Sequence, residues 1–408
     1  MDDNLPSNIK IAPSSKAPKS LRSHLKNAVL GLIISVVTLG FGLTILELLV
    51  RNIKPQIPFS EGIKRSDSVW KTSPYVPFTF KSNIKLDSGL IINSLGYKGE
   101  EFSITKPVGG YRILVLGDSF VAGMAQDYKL SWPWIVQKMF RDSGFNTFEV
   151  INAGFHDGYS PDSYYSYLIG EGLAIKPDFV VLGVYLQNDL SDLHSNRWVK
   201  TDPEGLPLQV VSSWRKLDPF GREVSDILPF RYRYPALGES HLWILFANWI
   251  ERRLPSLVHS PAEAKKFRED QDYFGATFSQ CVYVRDCFNL YFQKDFDKFK
   301  SVLSGTAKLL ASRQIPLLIV WQPSIWQLKL TPGTDFPPEG TYYLQADVEN
   351  YFKVNNLPAS FLDLTTDYLK VSDAQQYYYP TPETHWNPQG NQFTAQLVFN
   401  KIKSLIGR

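Results

Sequence analysis

The chain has 408 residues, enough to bury a large core and to hold two or three domains. Its formal charge of +3 carries no recurring basic stripe, which argues against a nucleic-acid partner. Cys281 and Cys287, with five residues between them, lack any Cys/His ligand spacing, so neither a metal nor a cofactor is expected. These two thiols read either as free and buried or as a local disulfide, the latter favoured if the domain is exported. Aromatic runs such as Tyr164-Tyr165 and Tyr377-Tyr378-Tyr379 usually pack strands and cores, with sugar stacking the rarer use.

Residues 1–27, rich in Ser, Pro and Lys, read as a disordered cytoplasmic tail. Ala28 to Leu46 contains no charge and, as a helix, covers roughly 28 Å, close to the hydrocarbon thickness of a bilayer. Lys10, Lys16, Lys19, Arg22 and Lys26 precede this run; Glu47 and Arg51 follow it. The positive side predicts a cytoplasmic amino terminus and an exported carboxyl domain. A cleaved signal peptide is the competing reading, but its apolar region is usually shorter, and no small-x-small site occurs before Pro55. Residues 28–48 are therefore expected to be a single transmembrane anchor.

Residues 49–105 read as a connector with short strands. From residue 106 to 408 the pattern alternates. Strands are expected at Arg112–Ser119, Phe148–Gly154, Asp178–Leu186, Pro316–Trp321 and Phe361–Leu364. Helices are expected at Ser131–Arg141, Pro161–Ala174, Phe296–Ser312 and Asn391–Ile406. Such alternation predicts a mainly parallel sheet covered by helices on both faces, with ligands outside the carboxyl ends of its strands. Residues 195–290 break the rhythm with prolines, an amphipathic stretch from Ser240 to Arg253 and both cysteines. They read as an insertion, either a lid or an inert excursion.

Four pieces fall at sheet-edge positions: Gly117-Asp118-Ser119, Asn152-Ala153-Gly154, Asn188-Asp189 and Glu383-Thr384-His385-Trp386-Asn387. Together they supply what acyl transfer needs, namely a nucleophile, a base and donors for an oxyanion. Ser119 closes a buried strand, so its hydroxyl would emerge at the carboxyl end. Its N–H, at the start of a helical turn, would point at the oxyanion. Gly154 would let a second N–H approach the substrate, and Asn188 would add a side-chain amide. Ser240, in Gly238-Glu239-Ser240-His241, lacks the closing glycine of a nucleophile elbow.

In this order the blocks resemble the SGNH, or GDSL-type, hydrolase superfamily over roughly residues 105–408. The resemblance implies a flavodoxin-like three-layer α/β/α sandwich with a five-stranded parallel sheet. It also implies a nucleophilic Ser119, oxyanion partners Gly154 and Asn188 beside Ser119's own N–H, and His385 as general base. The chain departs from the family pattern at Phe120, where Leu is usual, and at Leu186-Gln187-Asn188-Asp189, where Gly-x-Asn-Asp is usual. It departs again at Pro382, where the acid commonly lies. Some membrane-linked members carry an Asp two residues before the histidine, and Glu383 occupies that place. A carboxylate there would hold the imidazole tautomer.

Asp189, His156 and Trp386 are further candidates for the pocket. The anchor favours an ester-bearing substrate on envelope polysaccharide or lipid. Two rival expectations remain: an O-acetyltransferase of exported polysaccharide using the same Ser-His site, and a non-catalytic envelope glycan-binding or scaffold protein.

Overall fold

The structure, a computed structural model, describes residues 21–56, 58–60, 69–86, 89–123, 127–155, 158–212, 216–217, 223–224, 230–234, 236–258, 280–328, 344–379 and 385–407. In chain order the principal elements are α1 (Leu21–Ile53), β1 (Tyr111–Gly117), α2 (Trp132–Asp142), β2 (Phe148–Gly154), α3 (Pro161–Gly170), β3 (Phe179–Val184) and α4 (Leu186–Ser195). After them come α5 (His241–Arg253), α6 (Gln293–Ala311), β4 (Leu317–Trp321), α7 (Leu344–Val354), β5 (Ser360–Asp363) and α8 (Pro388–Leu405). They fall into two compact units: residues 1–61 with 230–253, and residues 62–229 with 254–408.

The larger unit is built on one five-stranded sheet in the order β5-β4-β3-β1-β2, every neighbouring pair parallel. This is the doubly wound, flavodoxin-like order, and the direction of winding reverses between β1 and β3. Each strand is short and apolar because both faces are covered. On β1 the side chains of Leu114 and Leu116 enter one core with Tyr164 and Leu168 of α3 and Phe296, Phe299 and Leu303 of α6. Ile113 and Val115, one residue out of phase, enter the other core with Trp132, Val136 and Phe140 of α2 and Val398 and Ile402 of α8. Each such aliphatic side chain, taken fully from water, contributes about 1.5–3 kcal/mol before chain entropy is counted.

Helix starts follow local rules. Pro161 occupies the first turn of α3 and Pro388 that of α8, where a missing N–H costs nothing. Asn387 caps α8, its side chain accepting from Gln389 N and Gly390 N.

Three features differ from the sequence expectation. Residues 49–105 are more than a connector: Trp70, Val76, Phe78, Phe80, Leu90, Ile92 and Tyr97 are buried in the first core. Their short antiparallel pairs, Trp70–Lys71 with Thr79–Phe80 and Ile84–Lys85 with Ile91–Ile92, present these side chains to it. Next, the strand expected to reach Leu186 ends at Val184, and α4 follows it directly. Asp189 drives this helix, its carboxylate accepting from Tyr185 N at 2.8 Å and its N–H donating to Tyr185 O. Finally, the 195–290 insertion is divided: α5 belongs to the unit of α1, whereas the hairpin Arg197–Thr201/Pro207–Val211 belongs to the sheet unit. A disulfide joins Cys281 and Cys287, both buried.

In the smaller unit, α1 is long and apolar enough to cross a membrane over Leu25–Ile53, and none of that stretch is buried.

Candidate active site

β1 ends at Gly117, Asp118 follows, and Ser119–Ala122 forms one helical turn. Asp118 is fully buried and its Oδ1 accepts from Phe120 N at 3.0 Å, capping the turn. Gly123, at φ +70°, closes it by donating its N–H to Ser119 O at 2.9 Å. Ser119 therefore sits at the first helical position, with its N–H among those a helix leaves without an internal acceptor.

The turn rests on glycine. Gly154, Gly117 and Gly183 stand level across β2, β1 and β3. A Cβ on Gly117 or Gly183 would run into the Val121 side chain, and one on Gly154 into the backbone of Val121 and Ala122. Only a sheet stripped of side chains at this level lets the turn lie so close. Gly154 thus serves packing, and its N–H donates to Asn152 Oδ1 at 2.9 Å, within its own strand.

The far end of the turn is held by polar side chains. Asn152 Nδ2 donates to Val121 O at 3.0 Å, and Lys98 Nζ donates to Ala122 O. Lys98, bridged to the backbone of Asn152, is 5% exposed. Burial pulls its ammonium down to about 7, with the Asp127 carboxylate opposing the shift. Neither residue carries a sequence signal of its role. Asn152 stands inside a block already noted, and Lys98 lies in an unmarked Tyr-Lys-Gly stretch.

His385 arrives from the other end of the chain, and Ser119 Oγ lies 2.7 Å from its Nε2. The backbone around it is pinned by a small clasp: Tyr379 N donates to His385 O, Asn387 N donates to Tyr377 O, and Trp386 bridges Tyr378. The Asn387 side chain adds bonds to Gln376 O and Tyr378 O. Phe120 packs against the imidazole with ring centres 4.9 Å apart, and Tyr185 packs on Phe120 at 4.3 Å. Ser119 is 1% exposed and His385 is half-buried, so the pair is largely withdrawn from bulk water.

The other expected residues separate. Asn188 lies in the first turn of α4, half-buried, at the carboxyl edge of β3 beside β1. Asp189 is fully buried rather than pocket-lining; it accepts from Tyr164 OH at 2.7 Å as well as from Tyr185 N. Desolvation, reinforced by the Asp118 carboxylate, holds its carboxyl well above the usual range. Trp386 is also buried rather than pocket-lining, wedged between Phe120 and Tyr368. Glu383 and His156 lie outside the described residues. Among the described residues there is no group of His, Cys, Asp and Glu that could hold a metal ion.

A hydroxyl and an imidazole in direct contact, at the point where a doubly wound sheet reverses, can carry out nucleophilic acyl transfer. No protein-family model matches the chain, and no curated protein does. Solved structures it is similar to include a lipase/acylhydrolase, an acetyl xylan esterase, a GDSL-like lipase and a psychrotrophic esterase. One is the lipase/acylhydrolase from Enterococcus faecalis, at 14% identity over 72% of this chain and 96% of that one, with a TM-score of 0.36. Another is an acetyl xylan esterase, at 14% identity over 71% and 99%, TM-score 0.35. A third is a GDSL-like lipase from Bacteroides thetaiotaomicron, at 11% identity over 74% and 92%, TM-score 0.33.

Proposed function

We propose that this chain is a membrane-anchored serine esterase that hydrolyses acyl esters through an acyl-enzyme on Ser119. The observation that carries the reading is the 2.7 Å contact between Ser119 Oγ and His385 Nε2, groups 266 positions apart. Nothing in the local chain requires two such reactive groups to meet.

In the reaction, Ser119 Oγ attacks the ester carbonyl carbon as His385 Nε2 takes its proton. The negative charge that develops on the carbonyl oxygen is met by the Ser119 N–H and the Asn188 side-chain amide. One such donor contributes about 2.7–4 kcal/mol to lowering the barrier. As the tetrahedral intermediate collapses, the C–O bond to the alcohol breaks and His385 returns the proton to the leaving oxygen. Water then gives its proton to His385, attacks the acyl-serine and releases the acid, and the proton goes back to Ser119 Oγ. Glu383, two residues before the histidine, is the carboxylate we assign to steady the imidazolium.

The same reading places the amino terminus in the cytoplasm and the sheet unit outside it, following the lysines and arginine before Ala28. The Cys281–Cys287 disulfide supports that address, because oxidising compartments preserve such bonds. From that side, acetyl esters on envelope polysaccharide or lipid are the substrate class within reach.

A fluorophosphonate probe tests the nucleophile. Wild type should be labelled and Ser119→Ala should not; equal labelling of both, or none of the wild type, removes the proposal. Supplying an activated acetyl ester with a glycan acceptor then tests hydrolysis. Free acetate should dominate, and acetylated glycan as the main product would make the chain a transferase.

A further inference from the structure

The unit formed by α1 and residues 230–253 contains a carboxylate that acyl transfer does not use. Glu47 directly follows the uncharged run Ala28–Leu46, so in a bilayer it stands where hydrocarbon gives way to headgroups. A lone carboxylate there is costly unless partnered. Glu47 is partnered three times: by Ser240 Oγ at 2.7 Å, His241 N at 3.0 Å and Leu242 N at 2.8 Å. These are the donors at the amino terminus of α5, whose dipole favours a negative charge at that end. Two further ties fix the same junction. Gln56 N donates to His241 Nδ1 at 2.8 Å, and Ser60 donates through both N and Oγ to the Glu239 carboxylate.

The depth of α5 is therefore set by α1, and its outer face suits that depth. Phe246 and Trp249, one turn apart and 51% and 55% exposed, continue a ring row from Trp243. Tyr234, also exposed, lies against Trp243. The amphipathic rings of Trp249 and Tyr234 suit the membrane–water boundary, and with Phe246 beside them they would form a costly apolar patch in water. Along the two helices runs an open groove of about 830 Å³ lined by Leu43, Leu46, Leu242, Trp243 and Phe246, with Glu47 at its polar side.

We infer that α5 is an interfacial helix seated in the same bilayer as α1, and that the groove along them holds an acyl chain of a bilayer phospholipid. The continuity of the aromatic face with an unburied apolar span selects lipid over a second protein. Glu47 acts as the clamp that registers the helix to the headgroup level. The inference rests on the proposed membrane span, and its test separates the two.

Single cysteines are introduced as Ile34→Cys, Phe246→Cys or Trp249→Cys, all at exposed positions, in the full chain whose native cysteines are paired. Each is labelled with an environment-sensitive fluorophore and reconstituted into phosphatidylcholine vesicles, with plain or brominated acyl chains. Quenching at positions 246 and 249 within about twofold of that at position 34 is expected, because all three sites touch lipid tails. Quenching at 34 with none at 246 and 249 overturns the inference while leaving the span intact. No quenching at 34 overturns the span itself, and the inference with it.

Discussion

The two ends of strand β1 treat polarity in opposite ways. At the amino end, Arg112 is fully buried, and all five of its guanidinium donors are used: two on Glu149 and one each on Ile175 O, Ser103 O and a weaker Ile104 O. Its backbone N–H is also bonded, to Asp178. That end is satisfied and closed. At the carboxyl end the polar groups are left in unfavourable states: a lysine pulled down to about 7, an Asp189 carboxyl pushed up, and a serine set against an imidazole. Saturated partnerships stabilise a fold, whereas groups held away from their preferred state are the ones available for chemistry.

Exchanging the two ends by mutation should break the comparison cleanly. Ser119→Ala is expected to lower kcat for a small acetyl ester by about 10⁴-fold or more, with the melting midpoint nearly unchanged. His385→Ala should match it, since nucleophile and base act as one unit. Arg112→Met should do the reverse. It leaves Glu149 unpaired and three carbonyls without donors, at a cost of about 3 kcal/mol in denaturant unfolding. The folded fraction should keep its kcat within about threefold, because nothing at the amino end touches Ser119. An Arg112 variant that is stable but inactive would show that the ends are not independent.

The glycine bed is the next test. Gly154→Ala should cost about 2 kcal/mol through overpacking, and should lower kcat by at least about tenfold by lifting the Ser119 turn off the sheet. Loss of stability without loss of activity would mean that the turn does not depend on its seat.

Much of this arrangement could be read from the chain. Apolar runs of strand length, ending in Gly-Asp-Ser or Asn-Ala-Gly, carried their own period and punctuation, so the five strands and the position of Ser119 were legible. So was the last helix, expected from Asn391 and found to begin at Pro388. Contacts formed at a distance were not. Trp70, Phe78 and Phe80 look like loop aromatics until the sheet gives them a surface. Gly154 signals close approach without saying to what, and the backbone it meets is that of Val121 and Ala122. α4 was missed because Asn188 and Asp189 are turn formers in isolation, and only the Asp189–Tyr185 bonds commit them to a helix. The tie between Glu47 and Ser240 of the α5 junction spans 193 positions and leaves no local trace.

Lys98 sharpens the contrast through pH. Its amine is neutral in the folded state above about 7 but protonated in the unfolded chain up to its ordinary 10.5. Between these values the unfolded state binds the extra proton, so this residue makes stability rise with pH across that window, by up to about 1.4 kcal/mol per unit. Below about 7 both states are protonated and the contribution is flat at its least favourable level. Lys98→Met should remove this slope over roughly pH 7.5 to 9.5, measured by urea unfolding; a variant with the wild-type slope would exclude Lys98 as its source.

The smallest expected effect concerns Phe120, which stands where the resembled family places Leu. The ring is 3% exposed, tilted over His385 and edge-on to Trp386. Leucine retains most of the apolar burial but loses the aromatic contacts, so Phe120→Leu should cost about 1 kcal/mol or less of stability. Its informative readout is the split between kcat and KM. A flat aromatic face over the imidazole holds the ring in line with Ser119 Oγ, an alignment that proton transfer needs and substrate binding does not. Replacing it should lower kcat by about twofold to fivefold while KM stays within about twofold. An unchanged kcat would reduce Phe120 to packing and leave the orientation of the histidine to its other contacts, the clasp at Tyr377–Tyr379 among them.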